Sequence, residues 1–106
     1  MLTWPHAHGD WAKRLKQVEP VFVDIARQVT LREKVLISCY DRSHREHVGK
    51  LLSESGVDMG RVILRTVPSN DTWARDHGPV TVICTHEALL FDFGFNGWGG
   101  KYDFEL

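Results

Sequence analysis

The chain has 106 residues, of which 42% are hydrophobic and 25% charged, and a formal net charge of -1. That profile suits one small globular domain, supplies no positive field for a nucleic-acid backbone, and contains no apolar run near the roughly 18 residues a membrane span requires. Nucleic-acid binding and a membrane-embedded role are therefore excluded as expectations, and Lys13, Arg14 and Lys16 read as one solvated helix face. Cys39 and Cys84 lack metal-type spacing and no secretory leader precedes the first charged residues, which points to a reducing cytoplasm. Whether the two cysteines meet is left open by the sequence.

In chain order, Asp10 is placed to cap a helix whose apolar positions Trp11, Leu15, Val18, Phe22, Ile25 and Val29 recur every three to four residues. Pro20 marks a kink or a later start. Residues 35–40 form a short apolar run rich in β-formers, which predicts a buried strand. Asp41 and Ser43 then offer caps for a helix over residues 44–55, with Val48, Leu51 and Leu52 as its apolar stripe and Gly56 as its stop. A turn at residues 58–60 leads to a second strand at 62–67. The strand, helix, strand order predicts parallel pairing through a right-handed crossover, hence an α/β sheet with helix cover.

Residues 68–79 change character. Pro68, Asn70, Gly78 and Pro79 are loop formers, and between them lie Asp71, Trp73, Arg75, Asp76 and His77. Strands at 80–85 and 88–95, separated by His86 and Glu87, predict a hairpin, followed by a glycine-rich loop carrying Gly94, Gly97, Gly99 and Gly100. A loop leaving a strand end is a common place for ligand-binding side chains. Two carboxylates flanking a tryptophan suit a planar cation: a carboxylate accepts parallel N–H bonds from a guanidinium, and an aromatic face covers the same plane. The competing structural reading has Arg75 pairing with Asp71 or Asp76 to tie the loop down, with Trp73 filling an apolar gap.

Three elements carry a resemblance: Trp4-Pro5, the run Asn70-Asp71-Thr72-Trp73-Ala74-Arg75-Asp76-His77-Gly78-Pro79, and the run Phe95-Asn96-Gly97-Trp98-Gly99-Gly100-Lys101-Tyr102. Together they resemble the agmatine deiminase and bacterial-type peptidylarginine deiminase family of the pentein superfamily. The resemblance implies a partial pentein α/β-propeller, a mixed sheet with helices packed outside in ββαβ-type modules, with residues 1–106 as the N-terminal fragment of a single catalytic domain. It implies Asp76 as the catalytic carboxylate that grips the substrate guanidinium and Trp73 as the aromatic wall. Asp71 and Arg75 match residues that shape the loop and border the substrate. Asn96, Trp98 and Lys101 resemble a loop at the channel mouth, with a structural rather than chemical role. In the family a cysteine thiolate attacks the guanidinium carbon and a histidine moves protons. Neither matches a position in this chain, so no nucleophile, metal or cofactor is expected here, and agmatine or a peptidyl arginine is the expected substrate class.

Other chemistry-bearing residues have simpler readings. Cys39 and Cys84 fall in predicted strands, where a small apolar side chain is the ordinary use of cysteine. His6, His8 and Asp10 could border a metal, as could His44 with His47, but a frayed terminus and a surface helix account for them. His77 reads as a loop hydrogen-bonding residue rather than a general base. The glycines at 97, 99 and 100 do not form a dinucleotide fingerprint. The competing function is a non-catalytic module in which exposed sheet edges and the apolar Leu89, Phe91, Phe93 and Phe95 recruit a second copy.

Overall fold

The computed structural model describes residues 1–101, which fall into a first compact unit, Met1–Thr72, and a second beginning at Trp73. The first holds β1 (Leu2–Thr3), α1 (Leu15–Thr30), β2 (Val35–Cys39), α2 (Arg42–Glu54) and β3 (Val62–Thr66). Its strands are parallel in the order β1-β2-β3, with Ile37 of β2 opposite Leu2 on one side and Leu64 on the other. Sequential parallel strands joined by crossovers of one hand carry both helices on one face of the sheet. The period-two alternation of β2 fits: Val35, Ile37 and Cys39 are buried while Leu36 is exposed. The core formed there contains Trp4, Val23, Ala26, Val35, Ile37, Cys39, Val48, Leu52 and Val57.

The α/β expectation and the parallel strand, helix, strand unit hold, with a two-residue strand at Leu2–Thr3 that is too short to show a period in the sequence. The predicted face of α1 holds in part: Phe22 and Val29 pack against the core, Ile25 is exposed, and Val23, Ala26 and Thr30 are the positions buried most deeply. Alanine and threonine are weak hydrophobic signals, and they occupy the positions closest to the sheet. Asp10 does not cap the helix; a 3-10 turn at Ala12–Arg14 precedes it. Helix α1 also runs through Pro20, which faces solvent, so the Lys16 carbonyl deprived of its N–H partner can turn to water.

Helix α2 follows its cues closely. Asp41 is the N-cap, its Oδ1 accepting from the His44 N–H at 2.7 Å and from Ser43 Oγ at 2.8 Å. These donors, the His44 N–H first, hold the Asp41 carboxyl below its ordinary range. At the other end Gly56 turns left-handed, with φ 71°, and the Val57 N–H returns to the Leu52 carbonyl at 3.2 Å. The buried side chains of Val57 and Leu52 bracket that turn, so the glycine stop also closes the core.

The second unit contains a single helical turn, α3 (Ala74–His77), and an antiparallel hairpin of β4 (Val80–Ile83) and β5 (Ala88–Phe91), with Val80 opposite Phe91. Parallel and antiparallel pairing thus sit in separate sheets among the described residues, not in one mixed sheet. The hairpin is stitched by local contacts, including the Cys84 N–H to the Glu87 carbonyl at 2.8 Å, and needs no neighbour to pair with. Both strands are shorter than predicted, and all their residues are exposed, the apolar Leu90 and Phe91 among them. No described helix is long and apolar enough to cross a membrane.

Candidate functional site

The predicted loop is divided between the two units. Its first part, Ser69 to Thr72, belongs to the first unit and is anchored from the chain's beginning. The His6 ring meets the Ser69 carbonyl at 2.9 Å, and the Trp11 indole Nε1–H donates to Thr72 Oγ1 at 3.1 Å. Asp71 is 5% exposed, and its Oδ1 accepts from the Thr72 N–H at 2.6 Å. A short-range bond from an aspartate to the following backbone N–H is how this side chain shapes a turn. The geometry therefore gives Asp71 a loop-forming contact.

His6 was not singled out for this role by the sequence, and no periodicity or spacing could have done so. Its Nδ1 accepts from the His8 N–H at 3.2 Å, so the ring proton resides on Nε2 and is donated to Ser69. The ring stacks on Tyr40, centroids 4.4 Å apart. Burial lowers the His6 pKa from 6.5; the Ser69 carbonyl, Asp41 and Asp71 oppose that shift, and His8 adds to it. His44 is lowered too, by burial first and then by His6 and His47, with the Pro5 carbonyl and Asp41 opposing. Its Nδ1 accepts from the Tyr40 N–H at 3.0 Å, which pins the end of β2 to α2.

Because both imidazoles are lowered in the folded state, the unfolded chain binds protons first as the pH falls. Their contribution to stability is present above 6.5 and lost as the pH drops through their folded values. The urea midpoint of the first unit is accordingly expected to fall between pH 7.5 and pH 5. His6→Gln, whose side-chain amide can still donate to Ser69, should flatten that fall; an unchanged pH profile would show that His6 is not one of the groups responsible.

These histidines and His47 border a cavity of about 430 Å³ with Glu19 and Tyr40. Glu19 Oε1 accepts from Trp4 Nε1 at 3.2 Å and meets His47 Nε2 at 2.8 Å, which ties α1 and α2 to the core tryptophan. No group of three metal-binding side chains is arranged around an ion among the described residues.

The second part of the loop opens the second unit. Trp73 stands at the N-cap of α3 and is 49% exposed. The Asp76 N–H bonds the Trp73 carbonyl at 2.9 Å, closing a turn that sets their side chains three positions apart. Arg75 and Asp76 are exposed on the same turn. No ion pair joins Arg75 to Asp76 among the described residues, and an exposed Trp73 fills no apolar gap, so neither half of the structural reading is visible within this unit.

One further side chain reaches the turn. The Trp98 indole Nε1–H lies 3.3 Å from Asp76 Oδ2. Trp98 is itself in the left-handed region, φ 57° and ψ 49°, within residues 97–100, all of which have positive φ. The turn is closed by Gly100 N–H to the Asn96 carbonyl at 2.9 Å and Lys101 N–H to the Gly97 carbonyl at 3.0 Å. The Asn96 side chain accepts from the Gly99 N–H at 3.0 Å. A Cβ on Gly99 or Gly100 would meet nothing within 4 Å, so these glycines answer to backbone conformation and not to lack of space. Trp98 alone among residues 97–100 carries the cost of a left-handed L-residue, about 1–2 kcal/mol. Phe95 meets its ring edge-on at 4.8 Å, and Lys101 Nζ lies 5.8 Å over its face.

Cys39 is not poised as a nucleophile. Cys39 is fully buried in β2, and burial pushes its thiol up to about 11. Cys84, expected inside a strand, lies just past β4 in the hairpin connection and is exposed. Both are free thiols.

The chain is similar to known proteins over nearly its whole length. The chain is 31% identical over 103 residues to a Selenomonas ruminantium protein provisionally named agmatine deiminase, covering 96% of this chain and 27% of that one. It is 27% identical to the agmatine deiminase of Stutzerimonas stutzeri, covering 94% of this chain and 26% of the other. The C. jejuni agmatine deiminase, solved as a Cys-to-Ser variant with substrate bound, superposes with a TM-score of 0.77 at 28% identity, over 96% of this chain and 28% of that one. The chain thus spans little more than a quarter of the length of these relatives. With the profile of that family matching residues 1–106 from end to end, the chain belongs to the Porphyromonas-type peptidyl-arginine deiminase family.

Proposed function

We propose that this chain supplies the guanidinium-binding loop of an agmatine deiminase, as the N-terminal part of a single pentein catalytic domain with propeller architecture. The reaction is hydrolysis of agmatine to N-carbamoylputrescine and ammonia. The observation that carries the reading is the single turn of α3, on which an exposed tryptophan and an exposed carboxylate stand three positions apart. Asp76 accepts the N–H bonds of the substrate guanidinium and holds its carbon planar for attack, while Trp73 covers the plane. Asp71 and Arg75 border the same loop, Asp71 chiefly by shaping it.

The chemistry balances without a cofactor. A cysteine thiolate adds to the guanidinium carbon, ammonia departs with a proton from a histidine, and water then displaces the sulfur to leave the ureido product. Asp76 opposes the cation through both steps. Cys39 is unsuited to the thiolate role by its burial and raised pKa, and on this reading neither the family's nucleophile nor its histidine matches a position within residues 1–106. The reading also implies that residues 1–106 alone bind a guanidino ligand weakly and turn over nothing.

The test is ammonia and ureido-product release by the protein as its gene encodes it, with agmatine, free arginine and an arginine-containing peptide as competing substrates. Turnover of agmatine supports the proposal. Preference for the peptide would move the assignment to protein-arginine citrullination, which the family description favours. Inactivity on all three would favour a module that completes its sheet with a second copy, for which the exposed hairpin surface of Ile83, Leu90 and Phe91 is the motivation.

A further inference from the structure

We propose that Trp98 is a positioning residue for the Asp76 carboxylate, and that the left-handed turn of residues 97–100 exists to deliver its indole N–H to Oδ2. The inference rests on the reading of Asp76 as the guanidinium acceptor. Asp76 stands exposed on a single helical turn, where a carboxylate can rotate freely about its last bond. A donor on Oδ2 removes that freedom and leaves Oδ1 and the remaining lone pairs to receive a planar cation. The gain is preorganisation: the ligand no longer has to order the carboxylate on arrival.

The backbone argues that this placement is not incidental. Residues 97–100 have φ values of 62°, 57°, 77° and 84°, and the only side chain among them that bears a Cβ is the one that reaches Asp76. Strain of this kind persists where the surroundings over-determine it. Here the Asn96 side chain caps the turn, two backbone bonds close it, and Phe95 and Lys101 hold the indole from its edge and its face. A tryptophan needed only for packing would not have to sit in the one conformation that L-residues avoid.

The experiment is a double-mutant cycle on the protein as its gene encodes it, with agmatine as the ligand and both steady-state kinetics and calorimetric affinity as readouts. Trp98→Phe keeps the ring and removes the donor. It is expected to raise KM and weaken agmatine binding by about tenfold, with kcat changed less than about twofold, because the carboxylate must then be ordered on binding, a cost carried equally by ground and transition states. In an Asp76→Asn background the same substitution should add nothing further. The indole N–H resonance assigned to Trp98 should shift on Asp76→Asn, a signature that packing alone would not produce. If Asp76→Asn binds and turns over agmatine like the parent, the guanidinium reading itself fails. If Asp76→Asn is impaired but Trp98→Phe is not, or if the two losses simply add, the positioning role is overturned while the reading of Asp76 stands.

Discussion

Replacing Asp76 with asparagine is expected to lower kcat/KM for a guanidino substrate by about 100- to 1000-fold, the usual consequence of removing one partner from a desolvated charge pair. The substitution preserves the shape of the side chain and one of its oxygens, so the turn it occupies should survive. Its backbone N–H still bonds the Trp73 carbonyl, and the side chain contributes nothing to the buried core. The loss should appear in both KM and kcat, because the carboxylate both captures the cation and opposes its charge as the carbon is attacked. Circular dichroism identical to the parent, alongside the kinetic loss, would separate chemistry from folding. A variant retaining more than about a tenth of parental kcat/KM would remove Asp76 from the binding role.

The second large effect is on stability. Trp4 is fully buried, packs edge-on against Phe22 with centroids 5.5 Å apart, and donates its indole N–H to Glu19. Trp4→Ala removes the bulkiest member of the core and leaves a cavity under α1, which costs about 3–5 kcal/mol. Against a total of roughly 5–15 kcal/mol for a whole domain, that loss removes from about a fifth to all of the first unit's stability. Trp4→Phe should cost about 1–2 kcal/mol, because it keeps most of the ring contact but deprives Glu19 of a donor. Urea titration followed by far-ultraviolet circular dichroism reads both. Midpoints of Trp4→Ala within error of the parent would mean that the core does not depend on this residue.

What could be read from the sequence was whatever is written in neighbouring residues. The Asp41 cap, the Val48 and Leu52 stripe and the Gly56 stop lie within one helix and its flanks, and the structure has them where local rules put them. The strand at residues 35–39 announced itself as a short β-branched and leucine run. The stripe of α1 was legible at Phe22 and Val29, but its deepest positions include Ala26 and Thr30, whose burial is decided by proximity to the sheet and not by hydropathy. Strand β5 ended early because Asp92 and Gly94 interrupt a run that hydrophobic pattern alone extended to Phe95. At the site, the chemistry of residues 70–79 was legible as residue types, but its anchors were not. His6, Trp11 and Trp98 act across 63, 61 and 22 positions, and separations of that size leave no local trace.

Those long separations bear on the order in which the chain becomes organised. The bonds that hold Ser69 and Thr72 start from His6 and Trp11, so they span nearly the whole of the first unit. Helices α1 and α2 can form from contacts made within a few residues, but the loop cannot be set until both its own segment and the chain's beginning have come to rest on the sheet. On a ribosome the two anchors emerge first and wait for some sixty further residues before meeting their partners. The end of the first unit, at Ser69 to Thr72, is therefore among the last of its parts to be fixed, and a lesion at His6 or Trp11 would be felt there before it was felt in the helices.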